Sequence, residues 1–295
     1  MRITIKHRIS YAALRVALWG IGLMPRALAY GCAAMLGRCY FHVARRRRRL
    51  AMEFLRLAFP DGKSERELRR IGARATGNIF KVPLDMIYST RVIEQGNFLD
   101  YVDVSETREH LPDGPLIGVT AHLGSWEVAA IHYAAMGRET HVVVQFFKNP
   151  LQQRFITANR RRAGLHLHAR RGGLRGMARA LARGCIGLQA VDQNQRRRGM
   201  FVPFFGKLAS TERSAATLAL RKGYPIMTGT CRRVGSGFRF KTYIDELIYP
   251  QATGNLQEDV ERLAAQINER LEQQILAAPD QYLWIHNRYR TRPPE

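Results

Sequence analysis

Cysteine is scarce in this chain of 295 residues, and the few cysteines follow no metal-binding pattern. Cys32, Cys39, Cys185 and Cys231 lack the short paired spacings of zinc sites. A disulfide framework is not indicated either, so the pattern favours a reducing compartment. Neither a Walker A loop nor a dinucleotide-binding glycine fingerprint occurs in the sequence. The sequence therefore predicts no metal site and no cofactor.

Acidic residues are also few. Asp and Glu number 24 against 47 Lys and Arg, which gives a formal net charge of +23 at pH 7 and a pI near 10.8. Such a charge implies an anionic partner, which could be a nucleic acid, an anionic membrane, or an acidic protein or substrate. The excess is mostly Arg, and this favours bidentate recognition of phosphate and carboxylate groups.

No uninterrupted hydrophobic run reaches the ~20 residues that a simple membrane-spanning helix requires. Residues 1–43 are apolar and helix-prone, but Arg15, Arg26 and Arg38 interrupt every such window. The segment is typical of two interfacial helices, although a tilted span with snorkelling arginines stays open. The basic run at 45–49 follows directly and suits an anionic cytoplasmic leaflet. Residues 1–50 are therefore predicted to associate with a membrane.

Apolar runs alternate with helical patterns along residues 51–295, which is typical of an α/β domain with a mostly parallel sheet. The strands are predicted at 115–120, 141–147, 186–191, 224–230 and 238–244, with an edge strand at 98–104. We predict one domain over residues 51–295, in which helices flank the central sheet.

The stretch 115–127 carries the first candidate catalytic residues. His122 comes just past a predicted strand, and Glu127 lies in the first turn of the next helix. A strand-to-helix turn can fold the carboxylate back onto the imidazole, which would leave the other ring nitrogen as a general base for a hydroxyl. The alternative is that His122 caps the helix and Glu127 complements its dipole.

Polar residues also follow the strand predicted at 186–191. Asp192 and Gln193 lie at its carboxyl end, where open α/β sheets bind ligands, so they are expected either to orient a substrate or to brace the site. Phe204 and Phe205 lie in a segment that is apolar yet rich in loop formers. They are expected to line an apolar tunnel or to meet a membrane, with ordinary core packing as the alternative.

The tail of the chain is aromatic and basic. We expect Trp284, His286 and Arg288 to close the structure or to contact a substrate phosphate rather than to take part in the chemistry.

Several of these stretches, in this order and spacing, make the chain resemble the lipid A biosynthesis acyltransferases. They are residues 122–127 (HLGSWE), 192–194 (DQN) followed by 202–206 (VPFFG), 284–288 (WIHNR), Asn149-Pro150 followed by Arg160 and Gly164, and 57–60 (LAFP). The resemblance covers nearly the whole chain.

The resemblance implies a bacterial enzyme with a glycerolipid-acyltransferase-like fold, bound to the cytoplasmic face of the inner membrane, that acylates a glycolipid from acyl carrier protein. It also implies that Arg160 supplies charge at an oxyanion or on a substrate phosphate. The alternative for Arg160 is one more basic surface residue beside Arg161 and Arg162. Ser125 departs from the family, which commonly has Asn before the Trp-Glu pair, but His122 and Glu127 are in place.

The chemistry that follows needs no acyl-enzyme. His122 would remove a proton from the acceptor hydroxyl while Glu127 holds the ring, and the oxygen would attack an acyl thioester of carrier protein or coenzyme A. The expected acceptor is an anionic glycolipid such as a lipid A precursor. A lysophospholipid, an ornithine-type lipid or a phosphoinositol mannoside is the alternative acceptor. A membrane-attached nucleic-acid-binding protein would explain the charge but not the residues at the strand ends, so no nucleic-acid partner is predicted.

Overall fold

The computed structural model describes residues 3–170 and 172–294. Its helices are α1 Ile5–Gly22, α2 Arg26–Val43, α3 Arg45–Ala58, α4 Glu65–Glu94, α5 Ser105–His110, α6 Trp126–Ala135, α7 Pro150–Arg162, α8 Gly173–Leu181, α9 Ser214–Lys222 and α10 Leu256–Ala277. Its strands are β1 Val102–Asp103, β2 Leu116–Thr120, β3 Thr140–Val144, β4 Leu165–Ala169, β5 Ile186–Ala190, β6 Met200–Phe204, β7 Lys207–Thr211, β8 Ile226–Arg233 and β9 Phe240–Ile244.

The central sheet has the strand order β1-β9-β8-β2-β5-β3-β4. Every neighbouring pair is parallel except β8 and β9, which are antiparallel. The short apolar strands β2 and β5 lie in the interior of the sheet, and β2 is buried over four of its five residues. Burial on both faces is typical of parallel strands between helices. The predicted α/β fold with a mostly parallel sheet is confirmed.

The segment 202–206, predicted as an aromatic loop, instead belongs to a β-hairpin of β6 and β7. Phe204 pairs with Lys207, which leaves Phe205 and Gly206 as a two-residue turn. Both turn residues have positive φ, 49° and 70°, as the hairpin turn that matches strand twist requires. A phenylalanine rarely adopts positive φ, so the local sequence did not indicate this turn.

The predicted edge strand at 98–104 is mostly replaced by a different local structure. A 3₁₀ turn, Phe98–Asp100, precedes β1, and β1 contains only Val102–Asp103. β4 was not predicted at all, because its sequence LHLHA places histidine at alternate positions of a short apolar strand.

The N-terminal region folds as the helices α1, α2 and α3, and α1 contacts α7. α2 packs closely on α4 where Gly37 of α2 meets Gly77 of α4. A Cβ on Gly37 would lie 2.5 Å from the main-chain oxygen of Thr76. The predicted domain boundary at residue 50 falls within α3. Across residues 3–170 and 172–294, none of the helices combines the length and the apolarity that a bilayer crossing requires.

A buried ion pair connects this helical region to the sheet. Arg233 of β8 donates to Asp85 of α4 at 2.6 Å, and the Tyr30 hydroxyl of α2 donates to the other carboxylate oxygen at 2.7 Å. Arg233 also donates to the side-chain oxygen of Asn78 at 3.0 Å. The amide of Asn78 in turn donates to the main-chain oxygen of Gly124 at 2.7 Å. These contacts fix α2 and α4 against the turn that follows β2.

We expect Asp85→Asn to lower the free energy of unfolding by about 3–5 kcal/mol, because it leaves the buried guanidinium of Arg233 without its charge partner. Urea unfolding followed by circular dichroism measures the change. Glu65→Gln, which removes one partner of the exposed ion pair with Arg56, is the matched control and is expected to change stability little. Equal effects of the two substitutions would contradict the prediction.

Candidate active site

A tight turn after β2 places His122 at the carboxyl edge of the sheet. Gly124 has a φ of +63°, and a Cβ there would lie 2.1 Å from the main-chain oxygen of Cys231, so the turn requires glycine. The amide of Ser125 donates to the same oxygen at 2.8 Å, which ties the turn to β8. α6 then begins at Trp126 with Ser125 as its N-cap.

The carboxylate that contacts the imidazole is that of Asp192. The Nδ1 atom of His122 lies 2.7 Å from Oδ1 of Asp192, and the backbone amide of His122 donates to Oδ2 at 2.9 Å. β2 and β5 are parallel neighbours with Thr120 opposite Ala190, and His122 and Asp192 each follow two residues later. The register of the two strands therefore brings the two side chains together.

The prediction that Glu127 holds the ring of His122 is wrong in this structure. Glu127 instead accepts two hydrogen bonds from Arg160 of α7, from Nη2 at 2.5 Å and from Nε at 3.0 Å. The helix turn directs the Glu127 carboxylate towards α7, whereas Asp192 lies beside the ring. The sequence did contain a signal for Asp192, because His122 and Asp192 each lie just past the end of a predicted strand. It did not reveal that these two strands are neighbours in the sheet.

Gln193 completes the surroundings of the imidazole. Its side-chain nitrogen lies 3.1 Å from Nε2 of His122. Both contacts fit one neutral tautomer of His122. In this tautomer Nδ1–H donates to Asp192, and the lone pair of Nε2 accepts an N–H of the Gln193 amide. Nε2 is thus the ring atom that can accept a proton.

The charges of the site are held by close partners. Burial alone would raise the pKa of Asp192, but its contacts with the ring and the backbone amide of His122 outweigh burial and lower the pKa below its ordinary value. Burial alone would lower the pKa of Arg160, but Glu127 outweighs it and raises the pKa. The site therefore combines an aspartate anion beside the base with a permanently charged guanidinium.

His122, Glu127, Arg160 and Gln193 line one cavity of about 290 Å³ between the sheet and α6. The same cavity is also lined by apolar side chains, which include Ala130, Tyr133, Val142, Leu165, Leu188 and Met227. A pocket lined by both polar groups and apolar side chains suits a ligand that has a reactive head and a hydrocarbon chain.

Phe204, Phe205 and Trp284 lie in the core, apart from the residues that line this cavity. All three pack around Phe54 of α3, with ring centroids 5.0–6.1 Å from its ring. The indole nitrogen of Trp284 donates to the main-chain oxygen of Pro279 at 2.6 Å. We therefore assign these aromatic residues to core packing, the alternative that their sequence pattern also allowed.

His286 and Arg288 brace the loops around the site. Nε2 of His286 accepts the backbone amide of Asn194 at 3.1 Å, directly after Gln193. Arg288 is buried and donates to the main-chain oxygen of Ser210 at 2.7 Å and to the hydroxyl of Thr211 at 2.5 Å. Burial lowers the pKa of His286 to about 4, so its ring is neutral near pH 7. Both residues hold protein groups in this structure, which agrees with a role in closing the fold.

Comparison with known proteins places this geometry in context. Residues 3–291 match the sequence profile described as bacterial lipid A biosynthesis acyltransferase. The lipid A biosynthesis lauroyltransferase of Escherichia coli K12 is 27% identical over 288 residues, which span 94% of this chain and 90% of that protein. The lipid A biosynthesis myristoyltransferase of the same strain is 24% identical over 289 residues, 94% of this chain and 86% of that protein. A shorter match to its palmitoleoyltransferase is 36% identical over 127 residues, 42% of this chain and 39% of that protein.

His132, in the wall of the cavity, gives the protein a titrating group that folding keeps neutral. Burial lowers its pKa to about 4 from an ordinary value near 6.5. Between these pH values the unfolded chain binds more protons, so the free energy of unfolding decreases as the pH falls from about 6.5 towards 4.

We expect His132→Gln to reduce this dependence by up to about 1.4 kcal/mol per pH unit, because it removes the proton that unfolding takes up. Urea unfolding of both proteins at several pH values between 7.5 and 4.5 measures the slope. The comparison concerns the slope alone, so a uniform loss of stability from the substitution does not affect it. A variant with the slope of the wild-type protein would show that the prediction is wrong.

Proposed function

The chain belongs to the bacterial lipid A biosynthesis acyltransferase family and is an acyltransferase, and on that premise we propose how its own residues transfer the acyl group. The proposed reaction joins a fatty acyl chain from a thioester to a hydroxyl of a lipid A precursor. The observation that carries the proposal is the His122–Asp192 pair, whose imidazole lines a cavity that also has apolar side chains in its wall.

His122 acts as the general base in this proposal. Asp192 holds the ring through Nδ1 and through the His122 backbone amide, so Nε2 is oriented towards the cavity. The acceptor hydroxyl gives its proton to Nε2 as its oxygen attacks the thioester carbonyl, and the thiol leaves. Asp192 stabilises the imidazolium formed in this step. The acyl chain passes directly between substrates, and no serine or cysteine nucleophile takes part.

Arg160 supplies positive charge, and Glu127 acts through it. The bidentate contact with Glu127 fixes the guanidinium, which lines the same cavity as His122. A fixed cation beside the reacting carbonyl can stabilise the developing oxyanion, or it can bind a phosphate of the acceptor. This gives Glu127 a positioning role in place of the direct contact with the imidazole that the sequence predicted.

The apolar part of the cavity is proposed to hold the acyl chain. Its walls come from β2, β3, β5 and β8 on one side and from α6 on the other. Each methylene buried there contributes roughly 0.8 kcal/mol of transfer free energy. The depth of this cavity would then set the length of the acyl chain that the enzyme prefers.

The positive charge of the chain fits the substrates of this reaction. An acidic carrier protein, coenzyme A and a phosphorylated glycolipid are all anionic, and a net charge of +23 favours their encounter with the enzyme. Arg170 lies with Arg160 in the cavity wall and adds to this charge. The carrier protein and coenzyme A remain the two proposed forms of the donor.

A strain that lacks the gene tests the function by mass spectrometry of its lipid A. We expect the lipid A of the deletion strain to lose one acyl chain, and we expect the wild-type gene to restore it. His122→Ala and Asp192→Asn should both fail to restore it at equal protein levels, since loss of general-base catalysis lowers the rate roughly 10²- to 10⁴-fold.

His42→Ala is the matched control, because this histidine is exposed at the end of α2, outside the cavity wall. It should restore the acyl chain as the wild-type gene does. Unchanged lipid A in the deletion strain, with an altered phospholipid or aminolipid instead, would favour the other acceptors. If Asp192→Asn is fully active and Glu127→Gln is inactive, then Glu127 rather than Asp192 holds the ring of His122 during the reaction.

We also propose that α1 and α2 lie in the membrane interface on the cytoplasmic side. No residue of Ile5–Gly22 is buried in the described structure, and its apolar side chains Ile9, Val16 and Trp19 are exposed. The five consecutive arginines at 45–49 begin α3, directly after these helices. Exposed apolar residues beside a basic run suit the surface of an anionic bilayer.

The double variant Ile9→Glu, Val16→Glu should bind vesicles containing phosphatidylglycerol more weakly, because it places charge on the surface proposed to insert. Co-sedimentation of the protein with the vesicles measures the bound fraction. The control Leu256→Glu, Leu276→Glu introduces the same charge at two exposed leucines of α10 and is expected to retain more binding than the α1 variant. Equal binding by the two double variants would contradict an interfacial α1.

A further inference from the structure

A second polar cluster lies at the opposite edge of the sheet from His122. Glu139 directly precedes β3 and Cys185 directly precedes β5. The two strands are parallel with Thr140 opposite Ile186, so Glu139 and Cys185 meet at the amino ends of their strands. The catalytic residues follow the carboxyl ends, and the acyl transfer proposed above does not use this cluster.

His141 completes a set of three different ligand types. It lies two residues after Glu139, on the same face of β3, and its Nε2 atom is 2.8 Å from a carboxylate oxygen of Glu139. One ligand atom from each of Glu139, His141 and Cys185 lies within 4.8 Å of the others. His141 and Cys185 are buried, while Glu139 is exposed, so the set opens to solvent on one side.

A neighbouring histidine can orient the ring of His141. Nδ1 of His141 lies 2.8 Å from Nε2 of His168 on β4. If Nδ1–H donates to His168, the lone pair of Nε2 faces Glu139 and Cys185, as a metal-binding imidazole requires. α8 leaves room for this second ring: a Cβ on Gly176 would lie 2.5 Å from Nδ1 of His168.

We propose that Glu139, His141 and Cys185 bind a divalent transition metal of the zinc type, with water as the fourth ligand. A carboxylate oxygen, an imidazole nitrogen and a thiolate sulfur form a mixed set that zinc accepts in tetrahedral geometry. The thiolate and the imidazole disfavour magnesium and calcium, which prefer oxygen ligands. On binding, the thiol proton of Cys185 leaves to solvent and the sulfur takes its place on the metal. The metal joins the beginnings of β3 and β5.

Arg183 is the competing cation at this site. Its Nη2 atom lies 2.9 Å from the Glu139 oxygen that also contacts His141. The Arg183 side chain is more than half exposed, so it can move away into solvent when a metal binds. The ion pair with Glu139 must break for the metal to enter, and Arg183 therefore weakens metal binding.

Cobalt(II) is the probe, added to the purified full-length protein after treatment with a chelator. We expect a thiolate-to-cobalt charge-transfer absorption that saturates at roughly one equivalent and disappears when zinc is added. Cys185→Ser should lose this absorption. Cys39→Ser, which removes an exposed thiol on α2, should retain it. Circular dichroism establishes that each variant is folded, and His141→Gln provides a second ligand variant if Cys185→Ser does not fold.

Two further variants test the surroundings of the site in opposite directions. His168→Ala should weaken cobalt binding roughly 10- to 100-fold, since it removes the partner that orients His141. Arg183→Gln should tighten binding, because it frees the carboxylate of Glu139.

Three results on the absorption itself would each overturn the proposal. They are a folded wild-type protein with no charge-transfer absorption, an absorption that survives Cys185→Ser or His141→Gln, and one that Cys39→Ser abolishes. If Arg183→Gln binds cobalt with unchanged affinity, Glu139 is not a ligand and the three-ligand site is wrong.

Discussion

The candidate active site depends on the parallel pairing of β2 with β5. In this register Thr120 lies opposite Ala190, and the residues two positions later are His122 and Asp192. A shift of one strand by a single residue would direct its side chains to the other face and separate the imidazole from its carboxylate. The apolar side chains that hold these strands between helices therefore also fix the geometry of the imidazole and its carboxylate.

Local sequence patterns were sufficient for the elements whose ends carry clear signals. β2 and the start of α6 were predicted within a few residues, because an apolar run and a strand-to-helix turn mark them. The strand order was not available from such patterns. For this reason the partner of His122 was predicted five residues away in the chain, although the true contact spans 70 residues. The β6–β7 hairpin was missed because Phe205 adopts a backbone conformation that its side chain disfavours.

The same limitation applies to the cluster of Glu139, His141 and Cys185. The spacings of the four cysteines indicated no metal site, since the ligands of this cluster come from the starts of two strands that only the folded sheet brings together. The chemistry of such a site is visible in three dimensions and absent from any local motif. Likewise, Glu127 and Arg160 come from separate helices, α6 and α7, and their contact became evident only from the packing of the two.

Gln193 has a consequence for what the enzyme does between substrates. Its amide lies against Nε2 of His122, the atom proposed to take the proton. In the proposed reaction, a water molecule would have to displace that amide before the imidazole could activate it, so futile hydrolysis of a thioester donor would meet an obstacle. The proposed acceptor lipid, if held by its phosphates and chains, would have binding energy with which to displace the amide, whereas a lone water molecule has little. The uncharged side chain of Gln193 would thus favour an alcohol over water as the acceptor of the acyl group.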